Sequence, residues 1–182
     1  LSTEALKAQF ETNVFGWHEL TKQVIPVMRK QGHGRIIQCS SVLGFVSMAY
    51  RGAYNASKYA IEGLTDTLRL ELKSANIDVV LLQPGPINTQ FRANALAAFQ
   101  DNIDVEASVH KTEYQQQIER LASEKSNAAF TLEPLDVTRA LIHALESKRP
   151  KLRYRITTPT KLFAIFKRIL PARLLDYLLA KG

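Results

Sequence analysis

DVVLLQPGP, residues 78–86, decides the fold. Val79-Val80-Leu81-Leu82 is an unbroken aliphatic run without alternation, closed by Gln83 and a Pro-Gly-Pro turn. A strand that reads this way is apolar on both faces, which is the mark of a buried parallel strand rather than a half-solvated hairpin strand. Parallel neighbours need crossover helices, and the flanking sequence supplies them. Upstream, residues 54–75 place Ala60, Ile61, Leu64, Leu68 and Leu72 on one helical face, with Asn76 as terminator. Before that helix, RIIQCS at 35–40 is short, β-branched and mostly apolar, and predicts a second buried strand followed by a loop over 41–51.

The chain opens with Leu6, Phe10, Val14, Trp17, Leu20 and Val24 at spacings of three or four, which predicts one long helix over 2–30. Ser2 or Thr3 can cap it, and Gln31-Gly32-His33-Gly34 stops it. Downstream, 89–132 mixes polar and helical character and is too long for an ordinary connection, so it reads as a substrate loop or lid. A helix over 135–147 and a third strand over 152–157 follow. Strands alternating with helices predict an α/β class with right-handed crossovers, and 182 residues without repeats or linkers predict a single domain over 1–182. The chain begins at Leu1, which leaves room for a fragment or a processed form.

Composition narrows the function classes. One cysteine, Cys39, provides neither a disulfide framework nor a thiolate cluster for zinc, so no metal is expected and a cytoplasmic setting fits. Cys39 itself reads as a small core residue inside its strand. His18, His33, His110 and His143 show no metal-ligand spacing. The net charge of +7 lies wholly in 151–182, where eight Lys or Arg meet one acid, Asp176. No helix-turn-helix, zinc or RNP pattern accompanies it, which argues against nucleic acid. In KLFAIFKRILPARLLDYLLAKG, Leu162, Phe163, Phe166, Ile169 and Leu170 form one apolar face, and Leu174, Leu175, Leu178 and Leu179 form another beyond Pro171. Lys161, Lys167, Arg168, Arg173 and Lys181 border these faces. Helices covering the substrate cleft or a subunit interface are the plainer reading of 159–182, and peripheral membrane contact is the sharper one.

In open α/β sheets ligands bind beyond the carboxyl ends of the strands. Past the first strand come Ser41 and the loop to Tyr54 and Lys58; past the second comes PGPINT, residues 84–89. Tyr54 and Lys58 stand at i and i+4, so they share one helix face. A phenol works as acid or base near neutrality only where positive charge stabilises its anion, and Lys58 can supply that charge. The Ser41 hydroxyl can hydrogen-bond a substrate oxygen as charge develops on it.

Asn13 in NVFG, Ser41 in CSSVLG, Tyr54 and Lys58 in YNASK and the PGPINT turn together resemble the short-chain dehydrogenase/reductase family, in that family's order and spacing. The match is close over residues 1 to about 90 and looser beyond, and the chain as a whole resembles the C-terminal two thirds of the family domain. The resemblance implies a Rossmann-type doubly wound sheet, with catalytic Asn13, Ser41, Tyr54 and Lys58. It also implies nicotinamide contacts from Tyr54, Lys58, Pro84, Gly85, Ile87 and Thr89. Its serine lies thirteen residues before the tyrosine, which selects Ser41 and leaves Ser40 facing the core; Asn13 would anchor a water or backbone group near Lys58. NAD or NADP is the implied cofactor, a small alcohol or carbonyl the implied substrate, and a homo-oligomer the implied assembly. Leu43, Phe45, Val46, Met48, Phe91, Leu96 and Phe99 favour an apolar substrate.

The strand and Gly-rich turn that hold a pyrophosphate are absent from the 182 residues; GHGR at 32–35 precedes a strand, the wrong context. The rival readings are a non-catalytic module of the same fold and a serine hydrolase using Ser41, which lacks a G-x-S-x-G elbow.

Overall fold

The computed structural model describes residues 1–123 and 130–180. Three parallel strands, β1 (Gly34–Cys39), β2 (Ile77–Gln83) and β3 (Arg153–Arg155), form one sheet in the order β1-β2-β3. Val79 packs with Ile36, Ile77 and Leu72, and Leu81 with Val14 and Ile61, on one side of β2. Val80 and Leu82 pack with Ala144 and Tyr154 on the other. Helices therefore cover both faces, as the unalternating run in 79–82 requires.

The first face is covered by α1 (Thr3–Phe10), α2 (Gly16–Gln31) and α3 (Gly52–Glu71); α6 (Pro134–Glu146) covers the second. The expected helix over 2–30 is interrupted. Between α1 and α2 the chain widens into a π-turn over Glu11–Phe15, with the Gly16 amide reaching back to the Glu11 carbonyl. Ser2 is the N-cap, accepting from the Ala5 amide at 3.1 Å, and Gly32 closes α2 at φ 79°. That left-handed conformation is why glycine stands there.

The third strand is shorter than 152–157 because Thr157, fully buried, already caps α7 (Thr158–Ile169). The span 89–132 is mostly helix: α4 (Phe91–Asn102) and α5 (Lys111–Ala122) pack on each other, and neither has a buried residue. Residues 124–129 of that span lie outside the described residues. The C-terminal faces also divide differently. Phe163, Phe166 and Leu170 turn inward with Leu175 and Leu179 of α8 (Ala172–Leu179), onto Val42, Leu43 and Val46 of the loop after β1. Leu162, Ile165, Ile169, Leu174 and Leu178 stay exposed, and Lys181 lies outside the described residues. The exposed and buried sets alternate around α7 at about 100° per residue, so one helix serves both the core and an outer surface.

Candidate active site

Cys39 ends β1 and is exposed, which corrects its expected place in the core. It is the last residue of the strand, on the face of Ile37, and none of the buried clusters among the described residues includes it. Two residues on, Ser41 is buried; its Oγ accepts from the Leu43 amide at 3.2 Å and caps a single 3-10 turn over Val42–Gly44. Ser40, 2% exposed, faces inward instead, and a Cβ on Gly44 would come within 2.4 Å of its Oγ. The loop then turns through Tyr50, at φ 59°, into α3.

The first turns of α3 present Tyr54 and Lys58 together. Lys58 Nζ lies 5.5 Å from the centroid of the Tyr54 ring and donates to the Cys39 carbonyl at 2.9 Å. A lysine so anchored is held between its own helix and the strand end. Burial pushes the Tyr54 phenol up to about 12; the Ser41 hydroxyl beside it acts the other way, and Cys39 adds to the rise. Burial also lowers the Lys58 ammonium below its ordinary value, with Cys39 opposing. In the bare chain desolvation therefore outweighs the help expected from Lys58, and Tyr54 stands as a neutral phenol, a proton donor.

Asn13 sits at the middle of the π-turn. Its Nδ2 donates to Ser57 Oγ at 3.0 Å, and Ser57 Oγ donates to the Tyr54 carbonyl at 2.8 Å. The partner of Asn13 Nδ2 is thus the Ser57 hydroxyl. Ser57 is fully buried, so the pair forms a dry tie between the π-turn and the turn of α3 that carries the phenol. Sequence reasoning missed it. Its signal was a small polar residue on the buried side of α3, between Tyr54 and Ile61.

Pro84 to Thr89 leaves β2 alongside this group. The Pro84 carbonyl accepts from the Val42 amide at 2.8 Å, joining the loops after β1 and β2. Ile87 bridges Leu132, and the Asn88 amide donates to the Leu132 carbonyl at 2.9 Å, which fixes the segment against the start of α6. Gly85 has a packing reason of its own: a Cβ there would meet Thr157 Oγ1 at 2.1 Å. Thr89 is exposed, and its Oγ1 accepts from the Phe91 amide at 3.3 Å. Phe91 then brings α4 to the centre, its ring meeting the Tyr54 ring edge-on at 5.4 Å. Among the described residues no group of three His, Cys, Asp or Glu side chains could hold a metal ion.

A phenol, an ammonium and a buried hydroxyl at the carboxyl end of β1, tied to an asparagine in a widened helix, match in sequence as well. The family model of the short chain dehydrogenases covers residues 1–100. The chain belongs to the short chain dehydrogenase family. It is 39% identical over 179 residues to the uncharacterized oxidoreductase YbbO of Escherichia coli (strain K12), covering 98% of this chain and 60% of that protein. Retinol dehydrogenase 8 of Homo sapiens is 33% identical over 153 residues, 84% of this chain and 49% of that protein. The chain thus spans about 60% of the length of the first of these relatives. A short chain dehydrogenase from Burkholderia cenocepacia J2315, solved in complex with NADP, superposes with a TM-score of 0.69 at 21% identity, over 98% of this chain and 63% of that one. One from Burkholderia phymatum, in complex with NAD, gives 0.64 at 25% identity, over 86% and 54%. The Rossmann-type fold of the family is thereby the fold of this short chain dehydrogenase domain.

Proposed function

We propose that this chain carries the catalytic part of an NAD(P)-dependent oxidoreductase that interconverts an alcohol and a ketone or aldehyde. The observation that carries the reading is the Tyr54 phenol, half-buried and neutral, with Lys58 Nζ 5.5 Å from its ring and Ser41 beside it. In the reducing direction Tyr54 donates its proton to the oxygen of the substrate. Ser41 hydrogen-bonds the same oxygen and stabilises the charge that gathers there. Lys58 stabilises the phenolate left behind, and Asn13 with Ser57 holds the Tyr54 turn in place. In the oxidising direction the same groups run in reverse, with Tyr54 accepting the proton.

The donor set suits the nicotinamide end of a dinucleotide. Lys58 is a half-buried cation with room for a further acceptor, and Tyr54, Pro84, Gly85, Ile87 and Thr89 edge the same strand ends. A bound nicotinamide supplies the hydride chemistry. The relatives crystallised with NADP and with NAD support the cofactor class and leave the choice between the two open.

The apolar substrate is supported by Phe91 against Tyr54 and by Phe99, Tyr114 and Tyr50, which stack edge-on along α4, α5 and the loop before α3. Leu20 and Val27 of α2 and Leu70 of α3 are exposed large side chains on the outer helices, consistent with a homo-oligomer. The test, run in the full-length protein that carries this catalytic part, is a panel of apolar and polar carbonyls with NADH and NADPH, followed at the nicotinamide absorbance. Turnover restricted to polar sugars would contradict the substrate class, and no turnover with either cofactor would contradict the reaction.

A second reading concerns location. On α7, Leu162, Ile165 and Ile169 are exposed beside Lys161 and Arg168, neither of which forms an ion pair among the described residues. The pattern fits peripheral contact with anionic lipid, the apolar residues entering the headgroup boundary. Co-sedimentation with anionic and neutral vesicles at low salt tests it; absence of binding to anionic vesicles ends it. No helix among the described residues is long and apolar enough to cross a membrane.

A further inference from the structure

Three arginines, Arg51, Arg92 and Arg120, lie near one another beside this site. Arg51 is the N-cap residue of α3, one turn before Tyr54. Arg92 follows Phe91, whose ring rests on Tyr54. Arg120 belongs to the last turn of α5, and Ser123 joins it to Arg92: Arg92 Nη2 donates to Ser123 Oγ at 2.8 Å, and Ser123 Oγ donates to the Arg120 carbonyl at 3.1 Å. The other partners among the described residues are neutral. Arg51 Nη1 contacts Met48 Sδ at 2.8 Å, and Arg120 Nε donates to Gln117 Oε1 at 3.0 Å. No acidic side chain among the described residues forms an ion pair with any of the three. The Nε atoms of Arg51 and Arg92 are buried without a partner among the described residues.

Burial and the neighbouring Arg51 and Arg92 push the Arg120 guanidinium down to about 10. Burial alone lowers Arg51 as well. Crowded, partly desolvated like charges cost free energy, and native structures supply such groups with a counter-charge. Aromatic rings stand beside them: Tyr50, next to Arg51, meets His110 at 5.7 Å and Tyr114 at 5.6 Å, and Phe99 meets Tyr114 at 5.4 Å. Guanidinium forks match carboxylate and phosphate oxygens two at a time.

We infer that Arg51, Arg92 and Arg120 bind an anionic group of the substrate, a carboxylate or a phosphate, at the far end of an apolar body whose carbonyl or alcohol carbon lies at Tyr54. This rests on the reading that Tyr54 is the reacting phenol. It narrows the substrate class from an apolar alcohol or carbonyl to an amphiphile with an acidic end. A phosphate of the dinucleotide is the other source of the same chemistry, and the two sources differ in which Michaelis constant the arginines control.

The kinetic probes are 4-oxobutanoate, 6-oxohexanoate and 8-oxooctanoate, each beside its methyl ester, with NADH or NADPH. The acid is expected to exceed its ester in kcat/KM by at least about tenfold at the best spacer, the scale of a charge-assisted hydrogen bond. Arg92→Gln and Arg120→Gln are expected to lower that ratio toward one, through KM for the acid, with the cofactor KM unmoved. A ratio near one in the unaltered protein overturns the inference. A rise confined to the cofactor KM assigns the arginines to the dinucleotide and overturns it too. Calorimetry with octanoate and 1-octanol, without cofactor, tests the anion site even if no probe turns over: octanoate must bind, weaken with added salt and weaken in Arg120→Gln. Equal affinity for both ligands, or salt-independent binding, refutes the site whatever the reaction proves to be. Arg120 is exposed as a residue, so its variant folds as a control for the more enclosed Arg51; equal melting temperatures establish this.

Discussion

The two halves of the molecule are built differently. In residues 1–88 the side chains around Tyr54 are tied between elements: Ser57 between Asn13 and the Tyr54 carbonyl, and Lys58 between its helix and the Cys39 carbonyl. Helix α3 buries Asn55, Ser57, Ile61 and Thr65 against the sheet. The half over 89–123 buries none of its residues on α4 or α5 and meets the site through ring edges and arginine forks. A group that must transfer a proton has to be held within a fraction of an ångström, whereas a group that chooses a substrate has to admit and release it. On the proposed function, the contrast puts the chemistry in residues 1–88 and the selection in 89–123.

The largest effect is expected at Tyr54. Tyr54→Phe removes the proton and little else, and turnover should fall about a thousandfold with the cofactor dissociation constant unchanged. Substantial residual turnover would move the acid elsewhere. The sign of the pH dependence belongs to the same residue. Because burial holds the phenol high, carbonyl reduction, which needs the protonated form, should stay flat through neutrality and fall only on the alkaline side. Alcohol oxidation, which needs the phenolate, should rise with pH over the same range. Initial rates in both directions across a buffer series check this, and a reduction rate that climbs with pH would break it.

Next comes the scaffold. Leu81, 0% exposed, packs with Val14 and Ile61, so Leu81→Ala should cost about 2–5 kcal/mol of stability, read by denaturant unfolding. Phe91→Ala, at an exposed residue, should cost almost none. Comparable losses at the two would erase the contrast.

Smaller again is the tie between the helices. Ser57→Ala should lower kcat about tenfold, the worth of one buried hydrogen bond, with substrate KM little changed. Ser57→Thr, which keeps the hydroxyl, should recover part of that loss. An equal loss in both variants would make Ser57 a packing residue only. The smallest effect is expected on the selective side, where Phe91→Ala should change substrate KM a few-fold and leave kcat near its starting value. A collapse of kcat there would place Phe91 in the proton-transfer machinery.

How much was legible follows the same division. The strand over 78–83 and the helix after Tyr54 lie within single elements, where periodicity speaks directly, whereas Ser41, Tyr54 and Lys58 stand out through their resemblance to the family's order and spacing. The matching family order adds Asn13. What escaped depends on contacts between elements. Nothing in the Leu6 to Val24 periodicity marks the π-turn over Glu11–Phe15, because an inserted residue leaves the apolar face nearly continuous. Cys39 sits in an apolar strand, yet its burial depends on whether a helix reaches the strand end. Ser57 looked like a spacer inside YNASK until Asn13 was seen across from it. Arg51, Arg92 and Arg120 are far apart in sequence and meet only when α4 and α5 fold over α3. The C-terminal leucines divided between core and surface because α7 packs one face on Val42, Leu43 and Val46, a partner the helix's own pattern cannot name.

The central claim is that a fixed catalytic half works beneath a loosely held selecting half. Amide hydrogen exchange followed by mass spectrometry tests it most directly, since protection reports the local opening free energy. The account predicts that peptides of α3 and β2, including 54–58 and 79–83, exchange at least about a hundredfold more slowly than peptides of α4 and α5 in the free protein. It also predicts that octanoate slows exchange more in α4 and α5 than in α3, whose first turn alone meets the ligand. Equal protection in α3 and α4, or ligand protection confined to α3, would contradict it.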